Sequence, residues 1–352
     1  MIDLLAHLKE MLSASGLSGF EGPIREIIRE AWEPLTDELS VSKIGSLHGL
    51  KIGRGEEPRR RVLISAHMDA IGMMVTEIRD GFLRVPGIGG LDHRILPGQP
   101  VIVHGREALP GVVVQPPGHL LPDSVGDGPV DMKYLLVDVG LRPKEVADKV
   151  RVGDTVSYDQ APLELTGQAL AGHTLDNRVS VAATTLCLEM LQNRLHDWDV
   201  WAVASAQEEE TLGGALTSPF DIRPDMAIVI DVCFAKGPGS NDWRSLPLGE
   251  GVGLGFGPNI HPALYEAFEK KAKDLEIPYH QDLMPKMSGT DAMAVQIVAE
   301  GIPVAVLGIP LRYMHTPVET VSLKDIRRAG RLMAEFITDL TPDALDQIRW
   351  EE

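Results

Sequence analysis

A chain of 352 residues, 44% hydrophobic and 24% charged, has ample material for a large folded core, so it reads as neither disordered nor fibrous. The formal net charge of −18 argues against a nucleic-acid binder, because phosphate contacts need clustered Lys and Arg. Two cysteines, Cys187 and Cys233, are too few for a disulfide framework and read as small buried hydrophobes.

Met1 to Ser13 reads as an amphipathic helix in which Asp3, His7, Lys9 and Glu10 interrupt any apolar run. Neither a signal peptide nor a membrane span is expected, and the reducing cytoplasm is the expected compartment. Gly19-Phe20-Glu21-Gly22-Pro23 leads into a helical pattern through about Leu35, with Pro23 suited to the first turn. Arg61–Ala66 is continuously apolar at its centre, as in a strand buried on both faces.

From Ile71 to about Pro162 short β-rich pieces recur, punctuated by Gly and Pro: Phe82–Val85, Val101–His104, Gly111–Val114 and Val152–Tyr158. After it, helices are expected over Asn177–Leu195, Glu210–Leu216, Ala263–Leu275, Thr290–Glu300 and Leu323–Leu340. Strands are expected over Val200–Ala206, Met226–Ile230 and Val304–Leu307. Such alternation predicts an α/β fold, a mostly parallel sheet flanked by helices, with an inserted small all-β domain. The predicted division is 1–70 and 163–352 for the main domain and 71–162 for the insert.

Ligands of open α/β sheets bind at the carboxyl ends of the strands, so the residues just past each strand matter most. His67 and Asp69 come after the first, Glu208 and Glu209 after the second, and Asp231 after the third, while a short loop beyond the fourth delivers His315. Asp176 stands just before the helix beginning near Asn177. Imidazole and carboxylate suit zinc, cobalt or manganese. His67 with Asp231 can serve one ion, His315 with Glu209 a second, and Asp176 can bridge them. Glu208 is then left without an ion, as a general base should be. Two such ions would sit roughly 3.5–4 Å apart.

Each feature has a plainer explanation. A lone His-x-Asp is more often a hydrogen-bonded pair, and acids at a helix start favour its dipole. The other histidines from His48 to His280 are assigned such ordinary roles, with His93 and His119 in Gly- and Pro-rich surroundings. Five coincidences at one sheet edge are improbable together.

The segments Ala66–Gly72, Leu175–Val179, Gln207–Glu209, Ile230–Val232, Ser288–Ala292 and Tyr313–Glu319 resemble, as an ordered set, the tetrahedral (TET-type) aminopeptidases of metallopeptidase family forty-two. That family also holds glutamyl and deblocking aminopeptidases. The likeness runs from about Gly19 to Leu340. It implies two divalent metal ions per subunit, zinc or cobalt, on His67, Asp176, Glu209, Asp231 and His315, with Glu208 as base. It also implies that Asp69 orients His67 and that the Asp176–Asn177 peptide is cis. Dimers assembling into a hollow dodecamer would confine substrates to short peptides. Many relatives carry Glu where this chain has Ala70, and Asn near Ser46.

The expected reaction removes N-terminal residues from peptides through a metal-bridging water activated by Glu208. A glucanase-type glycoside hydrolase and a catalytically silent scaffold are the alternatives; the first would rest on paired carboxylates without metal. The preferred N-terminal residue is not fixed by any spacing, although Arg312 offers a partner for acidic side chains.

Overall fold

The strand Arg61–His67 is buried at every position after Arg61, and its period of two sorts those residues onto opposite faces. Val62, Ile64 and Ala66 enter one apolar cluster, whereas Leu63 joins Val203, Ala227 and Val229 in another on the far side. A strand that feeds two cores must lie at the centre of a covered sheet. In this computed structural model, which describes residues 2–125 and 128–348, it does.

Asp199–Ser205 and Met226–Phe234 flank it in parallel, and Val304–Arg312 continues the parallel run. Pairing turns antiparallel on both sides of this centre. Leu47–Lys51 adds to Asp199–Ser205, and Glu319–Ser322, Ala169–Gly172 and Leu163–Leu165 extend the opposite flank. Val252–Phe256 also pairs antiparallel with Val304–Arg312 and carries Tyr279–Leu283 beside it in parallel. The parallel arrangement read from the sequence therefore belongs to the four central strands.

Helix Leu175–Leu191 packs against Arg61–His67 and Met226–Phe234, and its residues from Leu175 to Leu188 are all buried. That burial fits a helix sandwiched between the sheet and three further helices, Leu4–Ser13, Gly22–Trp32 and Leu323–Thr338. Asp3 caps the first of these by accepting from Leu5 N and Ala6 N.

Between Gly72–Met74 and Thr155–Tyr158 the chain builds a second, curled sheet of eight strands, antiparallel throughout the described residues. It has its own core, including Met73, Val101, Val103, Val113, Val137 and Val156. Among the described residues no helix is long and apolar enough to cross a membrane.

Two expected helices differ, and two strands were not expected. The helix expected over Glu210–Leu216 is a short turn, Glu208–Thr211, succeeded by the helix Gly213–Ile222. Leu212, at φ 54°, separates them. The helix expected over Thr290–Glu300 spans only Ala292–Val295, because Ala299 and Gly301 take positive φ to turn the chain into Val304–Arg312. Val252–Phe256 and Tyr279–Leu283 carried no strand signal, since glycines and polar residues break any apolar run; sheet neighbours, not local preference, make them strands.

Candidate metal centre and active site

His67 ends its strand opposite Ser205 of the parallel neighbour. Beyond Ser205 the chain reverses at Gln207, whose φ is 62°, and presents Glu208 and Glu209 at the start of a short helical turn. The Asp69 carboxylate, fully buried, accepts the backbone N–H of Glu208 at 3.0 Å and of Glu209 at 3.2 Å. An anion at the first amides of a helical turn satisfies donors that have no partner inside it. His67 Nδ1 lies 3.1 Å from the Asp69 backbone carbonyl and 3.6 Å from its carboxylate. The peptide, rather than the side chain, is thus the hydrogen-bond partner of the ring.

With Nδ1 occupied, His67 Nε2 faces Asp176 Oδ1 at 3.2 Å, Asp231 Oδ1 at 3.7 Å and Glu208 Oε2 at 3.9 Å. His315 is held in the same manner: Nδ1 lies 3.1 Å from the carbonyl of Gly90, a residue between strands of the second sheet. Its Nε2 faces Asp176 Oδ2 at 3.3 Å and Glu209 Oε2 at 3.5 Å. One carboxylate therefore stands between two imidazoles, offering one oxygen to each. The Asp176–Asn177 peptide is cis.

The side chains fall into groups whose potential ligand atoms all lie within 4.8 Å of one another. His67, Asp176 and Asp231 form one and Asp176, Glu209 and His315 another, with Asp176 common to both. Glu208 enters a third with His67 and Glu209. The residues expected from the sequence are thus brought together.

Electrostatics tests whether a cation fits. Burial, opposed by His67 and reinforced by Asp291 and Asp176, pushes Glu208 up to about 7. Burial and the nearby Asp176 push Glu209 up to about 8, and burial holds Asp231 well above the usual carboxylate range. Hydrogen bonding to Asp176 raises His315 to about 9. Burial would lower His67, but Glu208 and Asp176 outweigh it and hold it well above its ordinary value. Carboxylates that keep protons beside imidazoles that gain them mark a patch short of positive charge, and imidazole with carboxylate is a donor set that divalent cations accept.

These groups line a cavity of about 700 Å³ whose other walls include Phe234, Trp243, Met284 and Met287. Arg312 is not among the lining residues; it donates to the carbonyl of Lys236.

Supporting residues carried no signal of their own in the sequence. The buried Glu319 carboxylate accepts from His315 N at 2.8 Å and Asp176 N at 3.1 Å. Asp291 accepts from Ser65 Oγ at 2.9 Å and from Ser205 Oγ, and its charge reaches both His67 and Glu208. Glu21 accepts from Gly19 N at 2.7 Å and Gln207 N at 3.1 Å. Both Glu319 and Asp291 lie inside the segments that carried the family resemblance, which was the one available pointer to them.

A family model, M42 glutamyl aminopeptidase, matches residues 45–332. The chain belongs to this family. It is accordingly an aminopeptidase, a hydrolase acting on peptide bonds, and a divalent metal belongs to its site. The lysyl aminopeptidase of Pyrococcus furiosus is 34% identical over 341 residues, covering 95% of this chain and 97% of that protein. A solved aminopeptidase from Desulfurococcus kamchatkensis has a TM-score of 0.91 at 33% identity, covering 98% of this chain and 97% of its own. The TET1 peptidase of Pyrococcus horikoshii, described as assembling into a tetrahedron or a large octahedral shell, has a TM-score of 0.84 at 27% identity, covering 96% of this chain and 100% of its own. This M42 chain thus matches these relatives along nearly the whole length of both partners.

Proposed function

We propose that this M42 aminopeptidase removes N-terminal residues from short peptides, with two divalent cations, zinc or cobalt, held by His67, Asp231, Asp176, Glu209 and His315. The placement of the Asp176 carboxylate between the two imidazoles carries this reading, because two ligand groups that share one carboxylate suit a pair of ions. Bound there, the cations would supply Lewis acidity to the scissile carbonyl and acidify a water.

Glu208 then acts on protons. Its carboxylate borders the cavity at 3.9 Å from His67 Nε2, and its raised proton affinity suits a group that takes a proton and returns it near neutrality. It removes a proton from the attacking water; the oxygen adds to the carbonyl carbon, the C–N bond breaks, and Glu208 hands the proton to the departing amine. Asp69 positions Glu208 and Glu209 through their backbone amides. The deciding experiment is Glu208→Gln: kcat should fall by about 10²–10⁴-fold, with metal content unchanged. A variant that keeps most of its activity would remove Glu208 from this role.

The division into a catalytic domain, 1–70 and 163–352, and an inserted β-domain, 71–162, is part of the proposal, with the insert serving assembly. So is a homo-oligomer, a dodecamer built from dimers. Exposed apolar side chains such as Phe220 and Ile297, 57% and 70% accessible, are suited to burial between subunits. The two buried free thiols suit a reducing, cytoplasmic setting. The family model is named for glutamyl and the Pyrococcus furiosus relative for lysyl substrates, so membership leaves the first residue open.

A further inference from the structure

One buried acid has no part in the chemistry above. Asp282, on the strand Tyr279–Leu283, is only 7% exposed, yet it lines the same cavity as His67, Glu208 and Asp231. Among the described residues no hydrogen bond or ion pair reaches its carboxylate, and burial pushes its proton affinity up to about 6. An ionisable group taken out of water without a partner costs free energy unless something else supplies one.

Two glycines explain how it reaches the cavity. Gly253 and Gly308 stand opposite each other in the antiparallel pairing of Val252–Phe256 with Val304–Arg312. Lacking side chains, they leave a trough across the sheet. A Cβ on Gly308 would stand 2.8 Å from Cys233 Sγ and 3.5 Å from Asp282 Oδ2, and one on Gly253 would stand 3.5 Å from the Asp282 Cβ. The thiol of Cys233 and the carboxylate of Asp282 thus share the trough. Cys233 lies two residues beyond Asp231 on the same strand and therefore on the same face, about 7 Å along it. A long side chain that starts beside the metal-facing groups spans that distance.

The walls on the way are apolar, and the cavity's two cations lie at exposed positions: Arg244 pairs with Asp242 at 2.5 Å, and Lys286 is exposed to water. Among the charged residues that line the cavity outside the metal-facing cluster, Asp282 alone is buried, so its field acts most strongly on whatever enters. An apolar channel ending in an unpaired carboxylate matches a methylene stem tipped by an ammonium or guanidinium.

We propose that Asp282 is the specificity-determining acid of the pocket for the N-terminal residue, and that the enzyme prefers peptides beginning with lysine or arginine. This rests on the peptidase reading of the metal-facing cluster. The test is kcat/KM for Lys-, Arg-, Leu- and Glu-linked fluorogenic amides, using the full-length, metal-loaded enzyme and its Asp282→Asn variant. Wild type should favour Lys and Arg over Leu and Glu by roughly tenfold or more, and the variant's Lys-over-Leu ratio should fall roughly 30-fold, chiefly through KM. Free L-lysine should raise the melting temperature of wild type more than L-leucine does, and the variant should lose that difference. A wild-type preference for Leu or Glu, or an unchanged Lys-over-Leu ratio in the variant, would overturn the assignment while leaving the peptidase reading standing. Failure of the wild type to cleave any amide would overturn both.

Discussion

Replacing Asp69 by Asn separates two roles that a carboxylate two residues after His67 can play. The side chain is fully buried and accepts two backbone N–H groups, from Glu208 and Glu209, at 3.0 and 3.2 Å. Asparagine keeps the shape but offers one oxygen and one NH2 group, so one amide would face a donor. Losing a hydrogen bond to a charged acceptor costs about 1.5–3 kcal/mol. Because the amides so held belong to Glu208 and Glu209, the loss shifts the backbone that carries the proton carrier, and kcat should fall by about 10–100-fold. His67, by contrast, hydrogen-bonds the Asp69 backbone carbonyl, which the substitution preserves. Any loss of metal should therefore run through the shifted Glu209 alone, and kcat should stay low once metal content by mass spectrometry matches that of wild type. If the variant instead loses its metal and regains full kcat when metal is added in excess, the carboxylate serves the histidine, and the positioning argument is wrong. Full activity at ordinary metal would refute both roles.

Removal of metal by a chelator should abolish hydrolysis of aminoacyl amides, and added zinc or cobalt should restore it. A cellulose oligomer should stay intact in both states; its cleavage, or amide hydrolysis that survives chelation, would favour a glycosidase. Asp282→Asn should also raise stability in a pH-dependent way. Burial lifts the folded-state carboxyl from 3.8 to about 6, so protonation favours the fold, and the cost of the carboxylate grows as pH rises through that window. The advantage of the variant, at most about 3 kcal/mol, should be complete near pH 8 and small near pH 4, as read by differential scanning fluorimetry. Light scattering should find a large homo-oligomer, and a stable monomer would exclude the assembly proposed for the insert.

The strand ends were readable where an apolar run long enough to be recognised comes just before the candidate group: Arg61–Ala66 before His67, and Met226–Ile230 before Asp231. Their convergence is a result of parallel pairing, which places the carboxyl ends together at one edge. Glu319 was not readable as a support, because its two bonds reach across a turn to His315 and across 143 residues to Asp176. Neither separation leaves a periodic mark. Asp282 was hidden for another reason: its strand alternates polar and apolar residues weakly, and only the glycines on neighbouring strands give its side chain a route to the cavity. The role of Asp69 shows the limit of motif reasoning. The spacing places the residue beside His67, but the direction of its carboxylate is set by amides 139 and 140 residues away.

The bond from the Gly90 carbonyl to His315 has a consequence for how the molecule can be taken apart. The imidazole is aimed from outside the large sheet, and a Cβ at position 90 would stand 2.8 Å from its Nδ1. Excising the curled sheet and closing the gap would leave that ring without its outer stop, free to swivel although every residue of the cluster remained. The two sheets are therefore halves of one working device, and neither half should be transplantable alone.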